Sequence, residues 1–123
     1  MIKPPGLIQL AQYIDSRGVL IFGESGEEIP FTVQRVFWMV HTPPTVTRGG
    51  HAHKECHQFI VALKGSVRIQ NGVTDFLLNS PHIGLYVPPQ NHITLFNFTD
   101  GAAILVLCSH KYDKDDYLHD PIS

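Results

Sequence analysis

The chain has few charged residues and no long apolar run. Lysine, arginine, aspartate and glutamate make up 16% of its 123 residues, and the net charge is -2. Because the sequence has no basic stripe, nucleic acid is not expected as a partner. No apolar stretch approaches the roughly 20 residues that cross a membrane, and the first residues lack the apolar run of a secretory signal peptide. We therefore expect neither a nucleic-acid partner nor a membrane partner.

Cysteine is also scarce, with only Cys56 and Cys108 in the whole sequence. Each lies in an apolar or mixed segment, which favours buried, reduced thiols over a disulfide framework. This usage predicts a cytoplasmic protein. Hydrophobic residues are plentiful by comparison, at 43%, and the length predicts a single domain over residues 1–123 with a sizeable core.

Short apolar or alternating segments, separated by turn residues, recur along the chain. Asn71-Gly72 between two of them is a strong hairpin signal. Since no strand–helix–strand spacing is present, the pattern predicts an all-β antiparallel sandwich or barrel, and a barrel of about eight strands can hold one small ligand. Only Lys111 to Leu118 could form a short C-terminal helix. The predicted strands span residues 19–22, 33–40, 58–63, 66–70, 73–78, 84–87, 93–98 and 103–107.

The most informative segment is Arg48-Gly49-Gly50-His51-Ala52-His53-Lys54. On an extended backbone, residues two apart face the same side, so His51 and His53 present two imidazoles together. One interpretation is a metal site with His57 as third ligand and water as fourth, although Gln58 stands where a carboxylate ligand would be expected. A second is acid–base chemistry, because imidazole exchanges protons near neutral pH. A third is that both histidines only form internal hydrogen bonds.

Three arginines and one tyrosine are further candidates for ligand binding. Arg48 precedes the histidines and could neutralise an enolate or a phosphate. Arg35 lies in an apolar segment, where a guanidinium is costly to bury without an anionic partner. Arg17 lies in a predicted turn and is either solvated or reaches a ligand, and Tyr86 is either a core or a site residue. The aspartates near the C-terminus are expected to form a solvated face: Asp113, Asp115 and Asp116.

Over nearly its whole length the chain resembles the sugar nucleotide 3,4-ketoisomerases of the cupin superfamily. These enzymes act on dTDP-4-keto-6-deoxyglucose in the synthesis of deoxysugars. The block Arg48-Gly49-x-His51-Ala52-His53-Lys54 is specific in company with the other matching segments. Those segments are Asp15-Ser16-Arg17-Gly18, Ile29-Pro30-Phe31, Arg35-Val36, Gln58, Leu63-Lys64-Gly65-Ser66, Gly84-Leu85-Tyr86-Val87-Pro88-Pro89, Asn97-Phe98-Thr99 and Tyr112-Asp113-x-x-Asp116-Tyr117.

The resemblance implies a cupin-type jelly-roll barrel and a homodimer that exchanges N-terminal strands. It also implies catalysis without a metal or other cofactor, and Gln58 agrees with this, because a metal site would want a carboxylate at that position. In the implied reaction, the C4 ketone of the sugar acidifies the C3 hydrogen, and a histidine removes that hydrogen. The resulting enediol or enediolate is protonated at C4, which leaves the ketone at C3. His51 and His53 are then the acid–base groups.

The same resemblance suggests which residues bind the substrate. Arg48 would steady negative charge on oxygen, and Arg17 and Arg35 are candidates for the nucleotide or its diphosphate. Gln58 and Tyr86 complete the predicted substrate-binding set. The expected ligand is thus a dTDP-linked keto-deoxysugar.

The chain departs from the family's pattern at two pairs of positions. Many members have Tyr-Tyr or Tyr-Phe after the Arg-Val pair, whereas this chain has Phe37 and Trp38, so a phenol that could hydrogen-bond the sugar is missing. Members often have Trp-His where this chain has His92 and Ile93, and a shift of one residue on a strand reverses the face of a side chain. The lost histidine weakens the metal interpretation. Three hypotheses of function remain: a 3,4-ketoisomerase, a metal-dependent cupin enzyme and, because of both losses, a non-catalytic sugar-nucleotide binding module.

Overall fold

The structure, a computed structural model, describes residues 2–118. Within this range the regular secondary structure is nearly all strand, with one three-residue 3-10 turn and no α-helix. The strands are β1 (Gly6–Gln9), β2 (Ala11–Asp15), β3 (Gly18–Phe22), β4 (Arg35–Val40), β5 (Arg48–His53), β6 (Gln58–Lys64), β7 (Val67–Asn71), β8 (Thr74–Leu78), β9 (Ile83–Val87), β10 (Ile93–Phe96), β11 (Ala103–Cys108) and β12 (Tyr117–Leu118). No helix in this range is long and apolar enough to cross a membrane.

Two five-stranded antiparallel sheets carry the fold. The first has the order β1-β9-β6-β11-β4, and the second has the order β12-β5-β10-β7-β8. Each sheet keeps its own edge strands, so the predicted all-β antiparallel jelly roll is confirmed, but as two packed sheets rather than one closed barrel. Apolar side chains from the facing surfaces form the main core, which includes Ile60, Ile69, Leu85, Ile104 and Val106.

The short helix that the sequence allowed over residues 111–118 does not form. Only Lys114–Asp116 turns, as a 3-10 element that the Asp113 side chain caps by accepting from the backbone N–H of Asp115 at 2.9 Å. Tyr117 is already extended and pairs with β5. Strand pairing therefore overrides the mixed polar pattern that allowed a helix here.

Alternation along the strands sends side chains to two different faces of the first sheet. On β6, Gln58 and Ile60 face the second sheet, whereas Phe59 and Val61 join a smaller outer cluster with Leu10 and Tyr86. Beside that outer cluster, β2 and β3 form a separate hairpin. The hairpin exposes large apolar side chains, namely Tyr13, Ile14, Val19, Leu20 and Phe22.

Candidate active site

A pocket of about 230 Å³ lies between the two sheets. Two arginines line it, and none of its described lining residues is acidic, so it suits an anionic ligand. Its wall consists of Arg35, Phe37, Met39, Arg48, Gly49, His51, Gln58, Ile60, Ile93, Leu95, Val106 and Tyr117. Four sequence-predicted site residues, Arg35, Arg48, His51 and Gln58, therefore meet at one place.

A bulge in β5 directs His51 to the pocket. Ile93 of β10 pairs with His51 but Thr94 pairs with Gly49, which leaves Gly50 as an extra residue. Both glycines have positive φ, 82° and 78°, a conformation that favours glycine. A Cβ on Gly49 would lie 3.0 Å from the carbonyl oxygen of Ile93. The glycine pair of the motif thus sets the register that puts His51 on the pocket wall.

His53 lies behind His51 and not on the pocket wall. The two rings are perpendicular, with centroids 5.4 Å apart, and His53 is only 7% exposed. Its Nδ1 is 3.0 Å from Oδ2 of Asp116. Its Nε2 is buried and has no hydrogen-bond partner among residues 2–118. The two imidazoles therefore differ in position: His51 lines the pocket, and His53 is buried behind it.

Asp116 is a site residue that the sequence interpretation missed. Its side chain is 12% exposed, so its expected place on a solvated face is wrong, although Asp113 and Asp115 are exposed as predicted. Pairing of β12 with β5 sets Tyr117 opposite His53 and brings the carboxylate to the imidazole across 63 residues of sequence. Only the match of the Tyr112-to-Tyr117 segment to the family could have indicated it.

Asp116 also holds the loop that follows β5. Its Oδ1 accepts from the backbone N–H of Glu55 at 2.8 Å, and its Oδ2 accepts from that of Cys56 at 3.2 Å. The backbone N–H of Lys54 donates to the Asp116 carbonyl at 2.7 Å. These bonds fix the carboxylate, and the fixed carboxylate orients the His53 ring.

Tyr117 is a second residue that the sequence interpretation did not single out as part of the site. Its ring lies 4.7 Å from that of His51 and 4.5 Å from that of His53, centroid to centroid. It also lines the pocket. The tyrosine therefore packs on both imidazoles and restricts their movement.

The two pocket arginines differ in burial. Arg35 is half-buried, and its guanidinium lies over the rings of Phe37 and Tyr112, 4.7 and 5.3 Å from their centroids. Arg48 is exposed at the mouth of the pocket. Within the described part of the chain, neither forms a salt bridge with a carboxylate. Both charges are therefore available to a bound anion.

His57 and Tyr86 lie on the opposite face of the first sheet from the pocket. Nδ1 of His57 is 2.7 Å from the Tyr86 hydroxyl, and the two rings are stacked at 5.9 Å. Burial lowers the pKa of His57 and raises the pKa of Tyr86, so both groups stay neutral near pH 7. The structure does not bring His57 to His51 and His53 as the predicted metal site required. Substrate binding by Tyr86 stays a prediction.

Arg17 also lies away from the pocket within one chain. It sits in the turn of the β2–β3 hairpin, where its guanidinium is 2.6 Å from Oδ2 of Asp15 and its side chain is 83% exposed. Hydrogen bonds from Arg17 lower the pKa of the Asp15 carboxyl. In one chain by itself, Arg17 does not reach the pocket. Its contact with the nucleotide stays a prediction.

Each of the two departures from the family's pattern is a pair of residues, of which one lines the pocket and the other does not. Phe37 and Ile93 line the pocket, so the lost phenol and the lost histidine both concern the pocket wall. Trp38 faces outward and is 61% exposed. His92 is not a wall residue, and its carbonyl accepts a hydrogen bond from the Asn71 side chain at 2.9 Å. His92 precedes β10, so in this structure the wall position belongs to Ile93 and not to His92.

Both cysteines are buried and free, as their sequence context predicted. A hydrogen bond from the Cys108 thiol lowers the pKa of Cys56, and the same bond raises the pKa of Cys108. The Cys56 thiol also lies near His53 and Asp116, so it borders the site.

Comparison with known proteins gives one matching family model, described as FdtA: WxcM-like, C-terminal, over residues 4–123. A curated relative from Aneurinibacillus thermoaerophilus is named TDP-4-oxo-6-deoxy-alpha-D-glucose-3,4-oxoisomerase. It is 37% identical over 116 residues, which is 91% of this chain and 84% of the relative.

Solved structures are similar over almost the whole chain. A mutant of the 3,4-ketoisomerase QdtA from Thermoanaerobacterium thermosaccharolyticum, in complex with TDP-4-keto-6-deoxyglucose, has a TM-score of 0.87 at 35% identity, covering 98% of this chain and 90% of that one. The WlaRB TDP-quinovose 3,4-ketoisomerase from Campylobacter jejuni has a TM-score of 0.87 at 35% identity, covering 97% and 95%.

Proposed function

The chain belongs to the FdtA, WxcM-like family, and from that premise we propose that it is a sugar nucleotide 3,4-ketoisomerase. It would convert TDP-4-keto-6-deoxyglucose to the 3-keto isomer in deoxysugar biosynthesis. The observation that carries the proposal is the position of His51, which lines a pocket together with two arginines and Gln58. Relatives named as 3,4-ketoisomerases at 35% and 37% identity support the reaction class.

The reaction moves a ketone by proton transfers alone. The C4 carbonyl acidifies the C3 hydrogen, and the His51 imidazole takes that hydrogen as a proton, leaving an enediolate over C3 and C4. A proton then returns to C4, the O3 hydroxyl gives up its proton, and O4 gains one. A base must lie within about 3 Å of the proton it takes, which only a side chain on the pocket wall can achieve. We therefore assign His51 the direct contact with the sugar.

The pocket arginines would stabilise the negative charges of the substrate and the intermediate. Arg48, next to the glycine pair before His51, would steady the enediolate oxygen. Arg35, held over two aromatic rings, would bind the diphosphate. Guanidinium groups suit both tasks because they present several donors in a fixed plane. Gln58, which is 6% exposed on the pocket wall, would donate or accept a hydrogen bond at a sugar hydroxyl.

His53 would be the second acid–base group, held in place by Asp116. A carboxylate at Nδ1 fixes the ring orientation and leaves Nε2 as the atom that exchanges a proton. Buried polar atoms without a partner are costly, and Nε2 of His53 is such an atom within the described chain. The adjacent His51 imidazole, which itself contacts the sugar, would satisfy it during the reaction.

We also propose that the enzyme is a homodimer that exchanges N-terminal strands. The β2–β3 hairpin exposes a row of apolar side chains, and large exposed apolar patches mark interaction sites. An exchanged hairpin is also the arrangement in which Arg17 could contact a nucleotide in the second pocket. Light scattering would show a dimer, and Leu20→Glu in the hairpin should yield monomers. A monomeric unmodified protein would overturn this part of the proposal.

The reaction is proposed to take place in the cytoplasm. The two free, buried cysteines support a reducing compartment. Fractionation of the cells that make the protein would test the location, and recovery in an extracytoplasmic fraction would contradict it.

Solvent deuterium exchange tests the proposed function. The enzyme is incubated with TDP-4-keto-6-deoxyglucose in D₂O, and the sugar is followed by NMR. We expect a 3-keto product that carries deuterium at C4, because the proton delivered to C4 exchanges with solvent. Tight binding of the nucleotide sugar without product and without deuterium at C3 or C4 would instead identify a binding module. A reaction without enzyme corrects for spontaneous exchange.

A further inference from the structure

We propose that His53, Cys56 and Asp116 form an inhibitory binding site for a zinc-type divalent cation. Their ligand atoms all lie within 4.8 Å of one another. Nδ1 of His53 and Oδ2 of Asp116 are already 3.0 Å apart. This ligand set shares only His53 with the predicted set of His51, His53 and His57. A thiolate and a carboxylate take the place of the other two imidazoles.

The spacing of the three atoms is close to what a tetrahedral cation requires. Zinc binds nitrogen and oxygen at about 2.0–2.2 Å and sulfur at about 2.3 Å, so adjacent ligand atoms in a tetrahedron lie about 3.4–3.6 Å apart. The His53–Asp116 pair would open slightly, and Cys56 would move toward it. Three protein ligands leave a fourth position for water.

The ligand types select a soft or borderline cation. Thiolate and imidazole suit Zn²⁺ and Co²⁺ and discriminate against Mg²⁺ and Ca²⁺, which prefer oxygen. A neutral imidazole, one thiolate and one carboxylate carry a charge of -2, which the cation would cancel. Charge cancellation matters because His53 is 7% and Cys56 is 5% exposed, and an unbalanced charge is costly at such burial.

The surrounding backbone already holds two of the ligands. Asp116 accepts backbone N–H groups from Glu55 and Cys56, so its carboxylate and the Cys56 residue are tied to each other. The Cys56 thiol donates to the His57 carbonyl at 3.3 Å, and the cation would replace that proton. The Asp116 side chain is 12% exposed, so the carboxylate is not completely enclosed.

Occupation of the site would remove His53 from proton transfer. The cation would replace the proton between Nδ1 of His53 and Asp116. Its positive charge on the ring would make Nε2, the atom proposed to exchange a proton, less basic, and the carboxylate would bind the cation instead of orienting the ring. This consequence rests on the proposed function, whereas cation binding itself does not. The two parts are therefore measured separately.

Cobalt absorption tests the binding. The full-length protein is freed of metal with a chelator and titrated with Co²⁺, then with Zn²⁺. We expect a thiolate-to-cobalt charge-transfer band in the near ultraviolet that saturates at one Co²⁺ per chain and is lost when Zn²⁺ is added. Cys56→Ser should abolish the band, and the matched variant Cys108→Ser should keep it. No band in the unmodified protein, or an unchanged band in Cys56→Ser, would overturn the proposal.

A measurement on the unmodified protein covers the case in which Cys56→Ser does not fold. Zn²⁺ should slow alkylation of Cys56 much more than alkylation of Cys108, as read by mass spectrometry of the labelled peptides. Equal protection of both thiols would contradict the site. Turnover is then measured at the Co²⁺ concentrations that saturate the band. Saturation without loss of turnover would overturn the inhibitory role while leaving both the cation site and the proposed isomerase reaction standing.

Discussion

The first sheet separates two histidine clusters that share much of their chemistry. In the inner cluster, His51 and His53 contact Tyr117, and Nδ1 of His53 is 3.0 Å from a carboxylate oxygen. In the outer cluster, His57 stacks on Tyr86 and its Nδ1 is 2.7 Å from the phenol oxygen. Each cluster thus has a histidine, a tyrosine and a short hydrogen bond to oxygen.

The clusters differ in what surrounds them. The inner one opens on a pocket with Arg35 and Arg48, so a bound anion can reach an imidazole. The outer one packs on Phe31 and on the apolar cluster around Phe59, and burial keeps both of its polar rings neutral. The comparison teaches that residue type and burial do not identify a catalytic histidine. We therefore base the proposed catalytic role of His51 on the adjoining pocket and its two arginines.

The largest effect is expected from substituting one histidine of each cluster. His51→Asn should lower kcat by about 10²–10⁴-fold, the usual contribution of a positioned acid–base group, and should leave nucleotide binding nearly intact. His57→Asn is the matched variant and should leave kcat near the unmodified value. Steady-state kinetics and calorimetry with TDP measure both. Equal losses of kcat in the two variants would remove the distinction between the clusters.

Part of the difference between the two histidine clusters could be predicted from the sequence, and strand alternation explains which part. The period of two predicted that His51 and His53 face the same side, because it depends only on local backbone geometry, and their rings do lie next to each other. The sequence could not show that His53 lies behind His51, because the burial of His53 depends on the pairing of β5 with β12, where Tyr117 lies opposite it. It also could not show the Asp116 contact, which spans 63 residues.

The strand boundaries also show that local signals are predictable from the sequence and that pairing between distant strands is not. Most central strands were predicted within one or two residues, since apolar runs bounded by turn residues are local signals. The predicted strand over residues 93–98 ends earlier, at Phe96, because Asn97 adopts a left-handed conformation with φ 55°. β1, β2 and β12 were not predicted, and β5 was treated as extended backbone without being predicted as a strand. β12 has only two residues, and its pairing with β5 decides its conformation.

A smaller but specific effect is expected at Asp116, the residue that gives the inner cluster its carboxylate. Asp116→Asn should lower kcat by about 10–100-fold, as for other groups that orient a functional histidine, and should change KM little, because Asp116 does not line the pocket. Asp116→Glu should restore part of kcat. Asp115→Asn, in the same turn but exposed, is the control. A rise in KM without loss of kcat would contradict a positioning role.

In the outer cluster, Tyr86→Phe should affect stability and not catalysis. Loss of the hydroxyl removes the bond to His57 and should cost about 1 kcal/mol of unfolding free energy. Denaturant unfolding measures that cost, and kinetics should show unchanged kcat and KM. Tyr13→Phe, on the exposed hairpin, is the control for both. An increased KM in Tyr86→Phe would mean that Tyr86 binds substrate, as the sequence predicted, and that the outer cluster is part of the site.

The smallest expected effect is a pH dependence of stability that arises from His57. Burial lowers the pKa of His57 in the folded protein below its ordinary value, which is about 6.5 in an unfolded chain. Between these two values the unfolded chain binds more protons than the folded one, so this contribution to stability is full above the unfolded pKa and falls as pH decreases.

His57→Gln should therefore show a flatter decline of stability below about pH 6.5 than the unmodified protein, and the exposed His41→Asn should show no change. Unfolding free energies measured by denaturant at several pH values provide the comparison. A steeper decline in His57→Gln would mean that the outer histidine is stabilised in its charged form, against the direction in which burial shifts its pKa.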